Sequence, residues 1–200
     1  FIIIVVIFIK KNHGNIPKDQ RIKAKKEMAY SFLLKKGIES TPIHQNFKNS
    51  TDGISSKTRT NVSILADDDF LHLRFECLDD PFVIENYMVQ HNDDLYNQEV
   101  LELFINPGHE DSKKYLEVEI NPNNAIWVGK INNPELGAKM QTLEAMVDYE
   151  KTGILHQATK STNSWSGKIS IPWTLIGKHP KGEYRLNFYR IVLKKSQKPN

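Results

Sequence analysis

Three glutamates, Glu102, Glu117 and Glu119, fall in two short alternating segments, "EVLELFI" and "KKYLEVEI". Side chains alternate across a strand, so Leu101, Leu103 and Ile105 take one face of the first segment and Val100, Glu102 and Phe104 the other. In the second, Leu116, Val118 and Ile120 turn inward, leaving Tyr115, Glu117, Glu119 and Asn121 outside. A third segment, "FLHLRFECL", turns Leu71, Leu73, Phe75 and Cys77 one way and His72, Arg74 and Glu76 the other. With these three strands as neighbours, one outer face gathers His72, Arg74, Glu102, Glu117, Glu119 and Asn121. A solvated sheet face also carries cross-strand ion pairs, each worth well under about 1 kcal/mol. Val100 and Phe104 beside carboxylates and a forked guanidinium suit instead a small polar ligand with an apolar side. Sugars have this character: their C–H faces rest on aromatic rings, and their hydroxyls bond to carboxylates, amides and guanidinium. Tyr96, at the entry to "LYNQEVLELFINPG", and Trp127, just past the turn "NPNN", are the rings placed to serve. Trp165 and Trp173 read as packing residues at a strand end and a sandwich edge.

The elements that position these residues are short strands separated by Pro, Gly, Asn and Asp. They run "RTNVSIL", "FLHLRFECL", "EVLELFI", "KKYLEVEI", "AIWVGKI", "GILHQAT", "WSGKISI" and "YRLNFYRIVL". This spacing predicts an all-β chain folded as an antiparallel β-sandwich, of jelly-roll or immunoglobulin-like type. Two segments read differently. "EMAYSFLLKKG" predicts a short helix stopped by Gly37, and Leu143, Met146 and Val147 in "MQTLEAMVDYE" suit a helix slightly better than a strand.

The chain has 200 residues, 39% hydrophobic and 26% charged, enough for one domain with a proper core plus an extension. Its net charge of +3 hides an asymmetry. Nine basic residues crowd residues 10 to 36 against only Asp19 and Glu27, so the remainder is mildly acidic. A nucleic-acid binder carries its positive charge on the folded surface, which sets that class aside. The single cysteine, Cys77, excludes an internal disulfide and a cysteine-based zinc site. Residues 1–9, "FIIIVVIFI", are wholly apolar and span about 14 Å as a helix, short of a bilayer core of roughly 30 Å. Their length suits the apolar part of a signal peptide or an anchor, and so an exported protein: periplasmic, cell-surface or extracellular. Residues 10–36 read as a basic linker and 37–195 as the sandwich.

Four phrases in order then resemble the family 9 carbohydrate-binding modules. "FLHLRFECLDDP" looks like that family's strand ending in an acidic turn, and "LYNQEVLELFINPG" its next strand with an aromatic before V-x-E-x-F. "YLEVEINPNNAIWVGKI" is similar to its hairpin, and "WSGKISIPWTLIGKHPKGEYRLNFYRI" to its closing section. The resemblance implies a β-sandwich that binds sugars and travels with enzymes degrading plant polysaccharides. It implies that Tyr96 takes the place of a stacking ring, Glu102 that of the gripping glutamate, and Asn121 and Asn187 those of the asparagines. Three positions depart from the pattern: Glu119 stands where the family has arginine, Arg190 near its second aromatic, and Lys168 where a glutamate closes the tryptophan motif. A guanidinium stacks on a ring or forks onto hydroxyls, which keeps Arg190 among the expected ligand contacts.

Other functions draw on other residues. A glycoside hydrolase needs two carboxylates about 5 or 6.5–9.5 Å apart, and Glu117 and Glu119 share a face about 7 Å apart by strand rise. A haem-binding relative needs axial ligands, for which Met88, His91 and His156 are available. A protein-interaction or structural sandwich needs only a flat apolar patch. No cofactor is expected beyond a structural calcium ion at Asp67–Asp69, Asp79–Asp80 or Asp93–Asp94.

Overall fold

The computed structural model describes residues 2–8, 29–35, 37–39, 47, 55–108, 113–133, 142–177 and 182–193. Among the described residues, eleven strands follow one another: β1 (Ile2–Phe8), β2 (Ala29–Lys35), β3 (Thr60–Ala66), β4 (Phe70–Cys77), β5 (Val100–Pro107), β6 (Lys114–Ile120), β7 (Ile126–Asn132), β8 (Thr142–Met146), β9 (Leu155–Lys160), β10 (Trp165–Pro172) and β11 (Gly182–Ile191). A single α-helical turn, α1 (Trp173–Ile176), follows β10. One sheet has the order β2-β1-β11-β5-β6-β7-β8, the other β3-β4-β10-β9. Every pairing is antiparallel except that of β1 with β11. The chain is an all-β sandwich, and all eight strands read from the alternation of the sequence are present.

The inward residues of both sheets form one core. Val62 and Ile64 of β3, Leu71, Leu73 and Phe75 of β4, Leu101, Leu103 and Ile105 of β5, and Leu116, Val118 and Ile120 of β6 are all buried in it. Each buried aliphatic side chain contributes roughly 1.5–3 kcal/mol relative to exposure. Side-chain chemistry fixes the turns between strands. Asp67 Oδ1 accepts from the N–H groups of Asp69 (2.9 Å) and Phe70 (2.7 Å), closing the β3–β4 hairpin as an Asx turn. Asn121 Oδ1 accepts from Asn123 (3.1 Å) and Ala125 (2.8 Å) at the β6–β7 turn. Asn124 there takes a positive φ of 65°, a conformation Asn tolerates better than most residues.

Two expected helices are strands. "AYSFLLK" is β2 and lies antiparallel to β1; "TLEAM" is β8 and pairs with β7 through a register shift at Lys130/Ile131. In each case sheet pairing supplies long-range backbone partners that local spacing does not reveal. The apolar segment at residues 2–8, read as an export or anchor segment, is a strand with β11 on one side and β2 on the other. Of residues 10–36, read as a basic linker, Ala29–Lys35 form β2 and the rest lie outside the described residues. No helix among the described residues is long and apolar enough to cross a membrane.

Candidate functional site

The two sheets divide the residues that the sequence analysis had gathered on one face. β4 belongs to the four-stranded sheet, whereas β5 and β6 are central in the other. His72 and Arg74 therefore lie on the opposite outer surface of the sandwich from Glu102. Arg74 is exposed, reaches Glu39 at 3.4 Å and lines a depression with His72, Leu155, His156, Lys168 and Ser170. Its assignment to the glutamate face is corrected accordingly, because alternation fixes which side of a strand a residue takes and not which sheet the strand joins.

On the outer face of the larger sheet the register builds two rows. Tyr189, Glu102, Glu119 and Trp127 stand side by side on β11, β5, β6 and β7; Asn187, Phe104, Glu117 and Gly129 form the next row. Neighbouring strands are about 4.8 Å apart, so Glu102, Glu117 and Glu119 meet at the centre. One carboxylate oxygen from each lies within 4.8 Å of the others. All three residues are buried, at 8%, 4% and 3% exposure.

Burial, the largest effect, pushes Glu102 up to about 7. It acts with the neighbouring Glu102 charge to push Glu117 up to about 8. For Glu119 burial, then Glu102, Glu117 and Asp94, act together, and the value rises to about 9 although the backbone N–H of Tyr96 donates to it. Glu119 Oε2 is buried without a hydrogen-bond partner.

Aromatic rings frame the cluster. Phe104 meets Tyr189 edge-on at 5.3 Å and Tyr115 at 5.7 Å between centroids. Trp127 is buried and lies across the backbone of Gly129, which faces Glu117 on the adjacent strand. Tyr96, on the single 3-10 turn Leu95–Asn97, is 49% exposed at the edge of the face beside Glu119. Asn187 is half-buried, receives the N–H of Phe188 on its Oδ1 and hydrogen-bonds to Tyr189. The structure thus brings Tyr96, Glu102, Trp127 and Asn187 to one face, with Glu117, Glu119, Tyr115 and Tyr189 beside them. Tyr189 was missed by the sequence analysis, although its two-residue spacing from Asn187 on one strand carried the signal.

Two further expectations meet a different geometry. Asn121 is fully buried, and its whole side chain is engaged with backbone: Nδ2 donates to Met88 O at 2.9 Å while Oδ1 serves the turn. It holds the Met88 segment against the β6–β7 turn and presents no free group to a ligand. Arg190 pairs in register with Leu101, an inward residue, so parity turns it into the sandwich. Its side chain is 2% exposed and donates to Glu99 Oε1 (Nε 3.0 Å, Nη2 2.8 Å) and to the carbonyls of Arg59 and Leu78. Glu99 also receives Trp165 Nε1 at 2.5 Å. Burial and the adjacent Asp80, opposed by Arg190, push Glu99 up to about 8. Arg190 is a buried tie between the sheets, and a ligand contact from it is corrected.

The remaining candidates are placed as follows. Trp165 and Trp173 are core residues. Both ring nitrogens of His156 bond to protein partners, Asn124 and Tyr149, and His91 Nδ1 accepts the N–H of Ile126. Asp67 closes its turn and bonds to His72, Asp79 pairs with Arg59, and Asp93 accepts from the N–H of Asp94.

No protein-family model matches the chain. A protein of Arthroderma benhamiae described as an extracellular protein is 28% identical over 165 residues, covering 78% of this chain and 73% of that relative. Among solved structures, a Bacteroides uniformis protein provisionally described as carbohydrate-binding aligns with a TM-score of 0.52 at 13% identity, over 94% of this chain and 84% of that one. A family 9 carbohydrate-binding module of Caldicellulosiruptor kristjanssonii, solved with glucose and with cellotriose, aligns with TM-scores of 0.48 at 14% identity. These alignments cover 80% and 98% of this chain and 79% and 80% of the module's chains. At such identities the likeness is one of fold, a β-sandwich shared with the Bacteroides protein.

Proposed function

We propose that the outer face of the seven-stranded sheet binds carbohydrate without transforming it. The observation that carries this reading is the register of Asn187, Tyr189, Glu102 and Phe104, which sets acceptors, an amide and ring faces on one surface with Tyr96 at its edge. A pyranose ring stacked on Tyr96 would turn its hydroxyls toward Glu102 and Asn187. The ligand class is a glycan derived from plant-type or other polysaccharide, and the protein acts beside glycan-degrading enzymes outside the cytoplasm. The extracellular description of the Arthroderma relative supports the location. Affinity is weak, because each hydroxyl bond replaces one to water and nets about 0.5–1.5 kcal/mol.

Isothermal titration of the full chain against mono-, xylo- and cello-oligosaccharides tests this. Heat on a sugar that falls at least about tenfold in affinity in a folded Glu102→Gln variant supports the reading; a charged acceptor's bond is worth roughly that. A folded protein silent across the panel overturns it. The protein-contact reading then gains, and its candidate surface is the exposed Ile84, Tyr87 and Val89 on the loop before β5.

A further inference from the structure

Buried carboxylates are stable in a fold when a cation or hydrogen-bond donors offset their charge. At Glu119 on this face that balance is incomplete. The charge of Glu102 raises Glu117, and those of Glu102, Glu117 and Asp94 raise Glu119. The one donor resolved at Glu119 is the Tyr96 backbone, and it leaves Oε2, on a side chain 97% buried, with no partner. A buried orphan oxygen costs about 1–3 kcal/mol, more when charged, unless something fills the place opposite it.

The spacing indicates what would fill it. Calcium takes oxygen ligands at about 2.3–2.6 Å, so two oxygens on opposite sides of one ion stand about 4.6–5.2 Å apart. The three oxygens here lie within 4.8 Å of one another, inside that limit. They are hard donors, they number six counting both oxygens of each group, and they project from adjacent strands of a rigid sheet. Zinc, copper and nickel prefer imidazole or thiolate, whereas an all-carboxylate set suits calcium, magnesium or manganese.

We propose that Glu102, Glu117 and Glu119 form a binding site for a divalent cation of the calcium type. This site is separate from the aspartate turns considered in the sequence, and it stands whether or not the face also takes a sugar. Two carboxylates on β6 and one on β5 clamp the ion across the ladder. Glu119 Oε2 gains the partner it lacks, and the mutual repulsion of the three groups becomes attraction to a common centre. Trp127, folded over Gly129 beside Glu117, forms an apolar wall within reach of energy transfer to a lanthanide in the site.

The test is titration of the metal-free full chain with calcium, and with terbium as a luminescent substitute, followed by melting temperature and by terbium emission excited through tryptophan. Calcium is expected to raise the melting temperature, and terbium to give emission that calcium competes away. Glu119→Gln keeps the shape and removes a charge. It is expected to melt no lower than the wild type without metal, to lose the calcium-induced shift, and to bind terbium at least about tenfold more weakly, since ligand charge sets affinity in such sites. Glu102→Gln should behave alike, and Trp127→Phe should dim the emission while keeping the calcium shift. A wild type that responds to neither ion overturns the proposal. So does a response that survives unchanged in both glutamine variants, which would assign the ion to the aspartate turns.

Discussion

Trp127 and Gly129 occupy one volume on the outer face of β7: the indole ring fills the space that a side chain at position 129 would take. A Cβ built on Gly129 collides with Cη2 and Cζ3 of the ring. The packing of Trp127 against Leu95, Val100 and Ala125, and hence the wall beside Glu117, depends on the missing side chain two residues along the same strand.

Gly129→Ala is therefore expected to destabilise the fold by about 1–3 kcal/mol, the usual cost of overpacking a filled site. Urea denaturation measures this. Tryptophan emission of the folded variant should shift to the red as Trp127 is lifted toward water, while Trp165 and Trp173 stay in the core. Unchanged stability with unchanged emission would mean that the ring has room to move, and that the glycine is not needed for its position.

Arg190 makes the opposite kind of prediction. Its guanidinium serves Glu99 and two backbone carbonyls between the sheets. Arg190→Met should cost about 3–5 kcal/mol by leaving Glu99 buried without its partner, and Arg190→Lys should restore part of this because it returns charge but not the fork. Chemical denaturation of the three proteins distinguishes this from a ligand contact, which would lower sugar affinity at constant stability.

The sequence made the strands legible because inward residues alternate strictly: Leu101, Leu103 and Ile105, then Leu116, Val118 and Ile120. It also made legible that Glu102, Glu117 and Glu119 share a side, since β5 and β6 are joined in order. It did not reveal that β4 lies in the other sheet, which is a matter of non-local pairing, and so Arg74 was grouped with residues across the sandwich. Arg190 and Tyr189, in register with Leu101 and Glu102, must face opposite ways, and a motif resemblance does not carry that parity. The burial of Trp127 was also hidden, because Leu95 and Met88 join its cluster from a loop with no periodicity to read.

The separation of the two faces predicts that Arg74→Ala is nearly silent. Its exposed pair with Glu39 is worth at most about 1 kcal/mol, and the side chain lies on the smaller sheet. Stability should change by less than about 0.5 kcal/mol, as for surface substitutions in general, and any sugar or cation titration should be unchanged. A loss of ligand binding in Arg74→Ala comparable to that in Glu102→Gln would place the site on the wrong sheet.

The carboxylate cluster predicts how stability depends on pH when chelator keeps cations away. Glu102, Glu117, Glu119 and Glu99 are held above their ordinary 4.5, at about 7, 8, 9 and 8. A group raised in this way favours the folded state fully below its unfolded value, and the contribution is lost as pH climbs through the folded one. Asp67, where burial is outweighed by bonds from His72 and the backbone, and Asp79, held by Arg59, are both lowered; their contribution is constant above the ordinary carboxylate range and is lost only as pH falls below it. His156, lowered by burial and then by His91, favours the fold above 6.5 and loses that contribution below it. The clean window is thus pH 6.5 to 9, where all four glutamates act in one direction. The melting temperature should fall across it, and the fall should be shallower in Glu119→Gln, which has one group fewer to ionise. Repeating the series with calcium in excess should flatten it further, since a bound cation favours the ionised cluster. A melting temperature that is level from 6.5 to 9 in chelator would mean that these carboxylates are solvated and ordinary, against their burial.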